Sequence, residues 1–286
     1  MSKFGVSSSV ANLKRVAVRP PTRDADYQAA HWLGAPEQLD LDALQADHAA
    51  FVELLRELGC EVDVLPEAPG QPDSCFVYDP AFTTPTGVIQ LPGAKEARVK
   101  EPAMLAGDIN ALGMPTVGIL IGDATADGGD MFWLDDKTVA IGRTYRTNEA
   151  GEKQLRDIFA AEGIETLAFH MPHAMGPEYC LHLMSVVSPI RNDLAVVYER
   201  EAPVTLLQEL AKRGIKTISV PDEEYMSLAC NVLAVRPGVA VMPSGNPITA
   251  QLLRDAGVEV HIYKADVINR GEGGPTCLTR ALWREA

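Results

Sequence analysis

The chain closes on Gly273-Gly274-Pro275-Thr276-Cys277-Leu278-Thr279-Arg280-Ala281-Leu282-Trp283. Two glycines and a proline make a turn, and Thr276 to Trp283 reads as a short apolar strand with one cysteine near its start. Taken alone, Cys277 reads most simply as a small buried hydrophobe, since free cysteines are among the most buried residue types. The strand itself decides more, because it determines how the fold closes.

Upstream, one pattern recurs five times: a helical segment stops at glycine and a strand follows. The stops are Leu58-Gly59-Cys60, Leu112-Gly113-Met114, Glu162-Gly163-Ile164, Arg213-Gly214-Ile215 and Ala256-Gly257-Val258. Glycine just past a helix is the usual left-handed cap, because it lacks the Cβ penalty. The spacing of about 45–55 residues signals a modular array.

Four modules read as strand-strand-helix-strand. The second has Phe76 to Tyr78, Val88 to Leu91, a helix Glu101 to Leu112 and Thr116 to Ile121. The third has Met131 to Leu134, Thr138 to Ile141, a helix Glu149 to Ala161 and Glu165 to Phe169. The fourth has Leu183 to Val187, Leu194 to Tyr198, a helix Val204 to Lys212 and Lys216 to Val220. The fifth has Val232 to Val235, Val239 to Met242, a helix Ile248 to Ala256 and Glu259 to Tyr263.

The first module has a strand at Arg15 to Arg19, a long loop over Pro20 to Pro36, a helix Leu39 to Leu58 and a strand Glu61 to Leu65, so one strand is missing. Thr276 to Trp283 can supply it. Five similar units, the last strand completing the first, make a ring around one cavity. The alternative is an open α/β sheet with a coincidental period; four nearly intact modules favour the ring. The whole chain, 1–286, then reads as a single α/β domain.

On that plan the polar residues fall in register. Asp73 and Asp79 bracket the first strand of module two, Asp127 precedes that of module three, and His182 that of module four. Cys277 sits in the strand that completes module one. Each has an ordinary reading by itself: aspartate beside proline or glycine is commonly a turn residue, and His182 can be a core histidine. Together they suit a guanidinium substrate. Carboxylates accept paired N–H bonds from a planar cation. A thiolate attacks the central carbon, its pKa lowered by that cation. A histidine protonates the departing amine and later activates water. Arg98 and Arg146 can clamp a substrate carboxylate.

The bulk numbers narrow the class. The 286 residues are 47% hydrophobic with a formal net charge of -14, enough for a large core and too acidic, with scattered Lys and Arg, for a nucleic-acid face. No apolar run approaches the ~18 residues of a membrane span, and Met1 to Val10 lacks the pattern of a secretory signal. Five widely spaced cysteines without a C-x-x-C argue against a disulfide framework or a structural zinc site and fit a reducing cytoplasm. No metal, cofactor, nucleic-acid or membrane partner is expected.

The stretches PDSCFVYDPAF from Pro72, the region of Arg98, DGGDMF from Asp127, GRTYRTN from Gly142, CLHLMS from Cys180, the runs at Asn231 and Ser244, and GGPTCL from Gly273 occur in family order. Through them the sequence resembles the dimethylarginine dimethylaminohydrolases of the guanidino-group-modifying superfamily, which includes arginine deiminases and amidinotransferases. The resemblance implies the five-bladed α/β-propeller, or pentein fold. It implies Cys277 as nucleophile, His182 as general acid/base and Asp127 as the carboxylate that orients the histidine and contacts the guanidinium. It implies Asp79 as the second guanidinium carboxylate, Asp73 as partner of the α-amino group, and Arg98 and Arg146 as partners of the α-carboxylate. The implied reaction converts an Nω-methylated arginine to citrulline and methylamine, or arginine to citrulline and ammonia, through a covalent thiouronium. An amidinotransferase would hand the same intermediate to an amine; a non-catalytic pentein would only bind. A homodimer is the family's common assembly, and the loop Pro20 to Pro36 corresponds to its mobile lid. One departure is Tyr78, where the dimethylarginine enzymes carry glutamate beside the aspartate, close to the guanidino end.

Overall fold

Each of the five helix stops is built as its glycine requires: Gly59, Gly113, Gly163, Gly214 and Gly257 all adopt positive φ, between 72° and 96°. The computed structural model describes residues 4–285, and its strands fall into five three-stranded sheets. The second module comprises β3 (Ala81–Thr83), β4 (Val88–Gln90), helix α2 (Glu101–Ala111) and β5 (Thr116–Ile119). The third comprises β6 (Met131–Trp133), β7 (Thr138–Arg143), α3 (Glu149–Ala161) and β8 (Glu165–His170). A helical turn α4 (Leu183–Val186) opens the fourth, followed by β9 (Val187–Arg191), β10 (Leu194–Val197), α5 (Val204–Lys212) and β11 (Lys216–Ser219). After a short helix α6 (Asp222–Tyr225) come β12 (Leu233–Arg236), β13 (Val239–Pro243), α7 (Pro247–Asp255) and β14 (Glu259–Tyr263).

In each of these sheets the middle strand runs antiparallel to the strand before it and parallel to the strand after the helix. The first sheet has the same plan with a different supplier. Its middle strand β1 (Asn12–Val18) runs parallel to β2 (Glu61–Val64), reached through α1 (Leu41–Glu57), and antiparallel to the C-terminal β15 (Arg280–Glu285). Ala17 faces Arg280 and Leu13 faces Arg284 across that pair. The fold is a five-bladed α/β-propeller.

Middle strands are covered on both sides, which is why they read as unbroken apolar runs. Leu194–Val197 and Val239–Pro243 are buried throughout. The helices lay an apolar stripe on each sheet, as with Leu155 and Phe159 of α3, both fully buried. The last strands are the exposed ones: three of four residues of β11 face solvent, with Lys216 among them. Lysine on an edge discourages strand addition.

Three strand expectations are corrected. Phe76 to Tyr78 is not a strand; a 3₁₀ turn spans Pro72–Cys75 and the strand begins at Ala81, beyond Pro80. Proline lacks the ladder donor and restricts its predecessor Asp79, so the run is apolar for packing, with Phe76 stacked on Trp32 at 5.6 Å between centroids. Leu183 to Val186 coils into α4 because His182 N–H donates to Ser185 Oγ at 3.0 Å, a local cap that pre-empts the ladder. Cys277 lies in a turn before the last strand, closed by Leu278 N–H on Gly274 C=O and Thr279 N–H on Thr276 C=O, both 3.1 Å. Among the described residues, no helix is long and apolar enough to cross a membrane.

Candidate active site

Before the first strand of every sheet lies a residue that lines the large cavity or, in the case of Asn231, touches the thiol beside it. Asp79 precedes β3, Asp127 β6, His182 β9, Asn231 β12 and Cys277 β15. Five blades thus contribute five side chains. The sequence reading assigned four of them and passed over Asn231, although the module equivalence that placed the others applies to it as well.

Asn231 holds the turn that carries Cys277 with both side-chain atoms. Its Nδ2 donates to Cys277 Sγ at 3.1 Å, and its Oδ1 accepts from Thr276 N–H at 3.0 Å. A Cβ on Gly274 would stand 2.6 Å from the Asn231 amide carbon, so glycine is what lets the turn approach. Tyr78 N–H donates to Cys277 C=O at 3.1 Å, fixing the turn from the other side. The thiol is half-buried. Burial pushes its pKa up to about 11, Asp79 adds to the rise, and the Gly274 backbone, Asn231 and His182 pull in the opposite direction.

His182 Nε2 lies 3.0 Å from Asp127 Oδ2, and Nδ1 lies 3.9 Å from Asp79 Oδ1. Single atoms of Asp79, Asp127 and His182 sit within 4.8 Å of one another. Burial opposes charge on the imidazole, but the neighbouring Cys180, Asp79, Asp130 and the Asp127 hydrogen bond outweigh it and hold its pKa well above 6.5. The imidazolium then donates to Asp127. For Asp79, burial favours the neutral acid, yet His182 and Arg98 prevail and keep its pKa below 3.8. Close approach again needs glycine: a Cβ on Gly129 would fall 2.4 Å from His182 Nδ1 and 3.0 Å from Asp79 Oδ1.

A buried carboxylate below this layer sets its position. Asp130 accepts from Thr144 Oγ1 at 2.7 Å, Thr147 Oγ1 at 2.6 Å and Leu183 N–H at 2.9 Å. It pins the start of α4, and with it His182, to the third blade. Burial pushes the Asp130 pKa up to about 6 despite those bonds. Its role is not legible in the DGGD run, which points first to Asp127.

The cavity beside these groups measures about 1150 Å³ and takes in Asp73, Lys95, Arg98 and Arg146 as well as the reactive set. Arg146 approaches Asp127 at 3.7 Å. Arg98 is occupied on all three nitrogens: Nη1 donates to Asp79 Oδ2 at 2.6 Å, Nε to Glu101 Oε2 at 2.8 Å and Nη2 to Phe76 C=O at 2.9 Å. Asp73 accepts from Trp32 Nε1 at 2.7 Å and pairs with Lys95. The loop over residues 20–36 forms one rim through Ala29, Ala30 and His31. Tyr78 does not line this cavity. Its ring lies under the Arg280 guanidinium at 3.9 Å, and it borders a smaller chamber of about 120 Å³ that Cys277 and His182 also line.

A family model described as N,N dimethylarginine dimethylhydrolase, eukaryotic, matches residues 14–246. The chain belongs to the dimethylarginine dimethylaminohydrolase family. Membership makes it a hydrolase of a carbon–nitrogen bond in a linear amidine. It is 30% identical over 270 residues to the N(G),N(G)-dimethylarginine dimethylaminohydrolase of Streptomyces coelicolor, covering 94% of this chain and 96% of the relative. It is also similar to the arginine deiminase of Mycoplasma capricolum, 29% identical over 196 residues; that match covers 57% of this chain and 48% of the longer deiminase. Among solved structures, the Pseudomonas aeruginosa dimethylarginine dimethylaminohydrolase in complex with citrulline superposes with a TM-score of 0.77 at 20% identity, covering 94% of this chain and 98% of the other. The N-terminal domain of the cyanobacterial arginine dihydrolase ArgZ gives 0.81 at 17%, with 93% and 97% covered. At those identities the likeness concerns the fold.

Proposed function

We propose that the protein hydrolyses the guanidino group of an arginine-like amino acid, Nω-methylated arginine to citrulline and methylamine or arginine to citrulline and ammonia. The observation that carries this reading is the convergence of Cys277, His182, Asp127 and Asp79, from four different blades, on one cavity.

The guanidinium lies against Asp79 and Asp127, two buried carboxylates that accept its N–H groups and match its charge. With a thiol near pH 11, only about one molecule in a thousand carries thiolate at pH 8 in the free protein. A bound cation beside the sulfur favours the thiolate, so nucleophile activation accompanies substrate binding. The Cys277 proton passes to solvent, Sγ forms a bond to the guanidino carbon and the C=N π pair moves onto nitrogen, giving a neutral tetrahedral adduct. His182 passes its proton to the departing nitrogen, the C–N bond breaks, and an S-alkylthiouronium remains on Cys277. The now neutral imidazole takes a proton from water as its oxygen adds to the same carbon. Collapse breaks the C–S bond, releases a urea and restores the thiol. Asp127 keeps the imidazole oriented through both half-reactions. All five blades supply one site, so the described chain acts as one unit in this scheme.

The test is a panel of guanidines with products identified by mass. The reading predicts a ureido product and a free amine in water alone, and neither from the Cys277→Ser variant. Formation of product only when an amine acceptor is added would overturn hydrolysis in favour of transfer.

A further inference from the structure

Cys180 opens the CLHLMS run and stands two residues before His182. The backbone folds tightly there. Leu181 N–H donates to Tyr179 C=O at 2.9 Å, which makes Cys180 the central residue of a three-residue turn. Both flanks are anchored: Leu181 is buried in the core shared by the fourth and fifth blades, and Tyr179 Oη donates to Tyr225 Oη at 3.2 Å. The turn sets the Cys180 sulfur against the His182 ring, 3.8 Å from Nδ1 and 3.8 Å from Nε2. With equal distances, sulfur addresses the ring as a whole and neither N–H in particular. Such a contact acts on the delocalised charge of an imidazolium.

The other groups around the ring are engaged elsewhere as well. Asp127 pairs with Nε2, and Arg146 approaches the same carboxylate oxygen at 3.7 Å. Asp79 lies 3.9 Å from Nδ1, and Arg98 holds its other oxygen at 2.6 Å. Asp130 accepts from Thr144, Thr147 and Leu183. Burial keeps the Cys277 thiol neutral, with its pKa at about 11. Both arginines oppose a further positive charge on the ring. The Cys180 sulfur is half-buried on the cavity wall, and among the described residues it has no hydrogen-bond partner besides His182. Arg146 is a second cation within its field. As a thiol, sulfur is a weak acceptor; as a thiolate it is a full counter-charge. Both forms favour the imidazolium. Burial opposes that charge, and among the groups that raise the His182 pKa Cys180 stands ahead of Asp79, Asp130 and Asp127.

We infer that Cys180 is a positioning residue for the acid/base step: its sulfur keeps His182 protonated until the leaving nitrogen takes the proton. This rests on the guanidine reading above and deepens it, because it names what maintains the acid that C–N cleavage requires. The proton travels from the ring to the departing amine. The Cys180 sulfur forms no bond to substrate and neither gains nor loses electrons.

The experiment is the pH titration of His182 by proton–nitrogen correlation spectra of the imidazole rings, in the Cys277→Ser protein, with His182→Gln identifying its signal among the six histidines. Cys180→Val keeps an apolar side chain of similar size and removes the acceptor, Cys180→Ala removes both, and Cys180→Asp returns a full charge. The ring should lose its proton at lower pH in the Val and Ala variants than in the parent, and at the parent's pH or higher in Cys180→Asp. In the intact enzyme Cys180→Val should lower kcat on the alkaline side about tenfold, the small end of the effect of a charge at this distance, and Cys180→Asp should restore most of it. A His182 titration in Cys180→Val that overlays the parent would overturn the proposal. A midpoint lowered in Cys180→Ala alone would assign the sulfur to packing and overturn it too, as would a Cys180→Asp protein that titrates like Cys180→Val. The expected His182 shifts without a ureido product from any guanidine would leave the Cys180 assignment standing and remove the hydrolase reading instead.

Discussion

Asn231→Ala removes the side chain that donates to Cys277 Sγ at 3.1 Å and accepts from Thr276 N–H at 3.0 Å. A donor aimed at sulfur favours the thiolate, so its loss raises a pKa that burial has already pushed to about 11. A hydrogen bond to a charged group contributes about 1.5–3 kcal/mol, or roughly one to two pKa units. The thiolate fraction at a fixed pH near 8 therefore falls about 10- to 100-fold by that conversion. A more basic thiolate is also a better nucleophile, with a Brønsted coefficient of about 0.4–0.5, which returns nearly half of the logarithm and leaves a net loss of about 3- to 10-fold. The assay is the rate of reaction with an aromatic disulfide, read by mass at the Cys277 peptide because Cys180 is also half-buried. Between pH 7 and 9 both proteins titrate far below the thiol pKa, so log rate rises in parallel for both and the variant's line lies lower. Loss of an acceptor for Thr276 N–H costs about 1 kcal/mol of stability, small enough to leave the protein folded. A variant that reacts as fast as the parent across this range would show that Asn231 does not support the nucleophile.

Other substitutions separate positioning from charge. Asp127→Asn removes a carboxylate that raises the His182 pKa. Since His182 must be protonated to donate, activity lost as pH rises through that pKa should be lost at lower pH in the variant, with kcat down on the order of 100-fold; the pH profile of kcat checks this. Gly129→Ala places a methyl 2.4 Å from His182 Nδ1, and a displaced acid/base group lowers kcat about 100-fold, while the far-ultraviolet spectrum stays that of the parent. Asp130→Ala strips Thr144, Thr147 and Leu183 of their acceptor and should cost about 2–4 kcal/mol in denaturant unfolding. Because the folded pKa of Asp130 is raised, to about 6 from 3.8, its stabilising contribution is greatest below 3.8 and declines as pH rises through 6. The deficit of the variant is accordingly larger at pH 5 than at pH 8.

The ring was legible because its signals are local and repeated. Glycine stops and apolar middle strands follow from backbone sterics and two-sided burial, and both recur in register. The strand ends were less legible, since Pro80 and the Ser185 cap override short apolar runs that propensity alone assigns to the sheet. Asn231 could have been found from its blade position, but an asparagine beside a thiol carries no chemical signal until the contact is seen. Arg98 lies beyond what sequence offers in another way: nothing in its surrounding residues announces that two carboxylates, Asp79 and Glu101, share its guanidinium.

In the proposed reaction Cys277 attacks the guanidino carbon and the leaving nitrogen departs before water enters. Rapid acid quench during turnover, followed by intact and peptide mass analysis, tests it directly. The expected result is an adduct on the Cys277 peptide whose mass is that of the substrate less its departing amine, so that arginine and Nω,Nω-dimethylarginine leave the same adduct. Adducts that differ between the two substrates, or turnover that persists in Cys277→Ser, would contradict it.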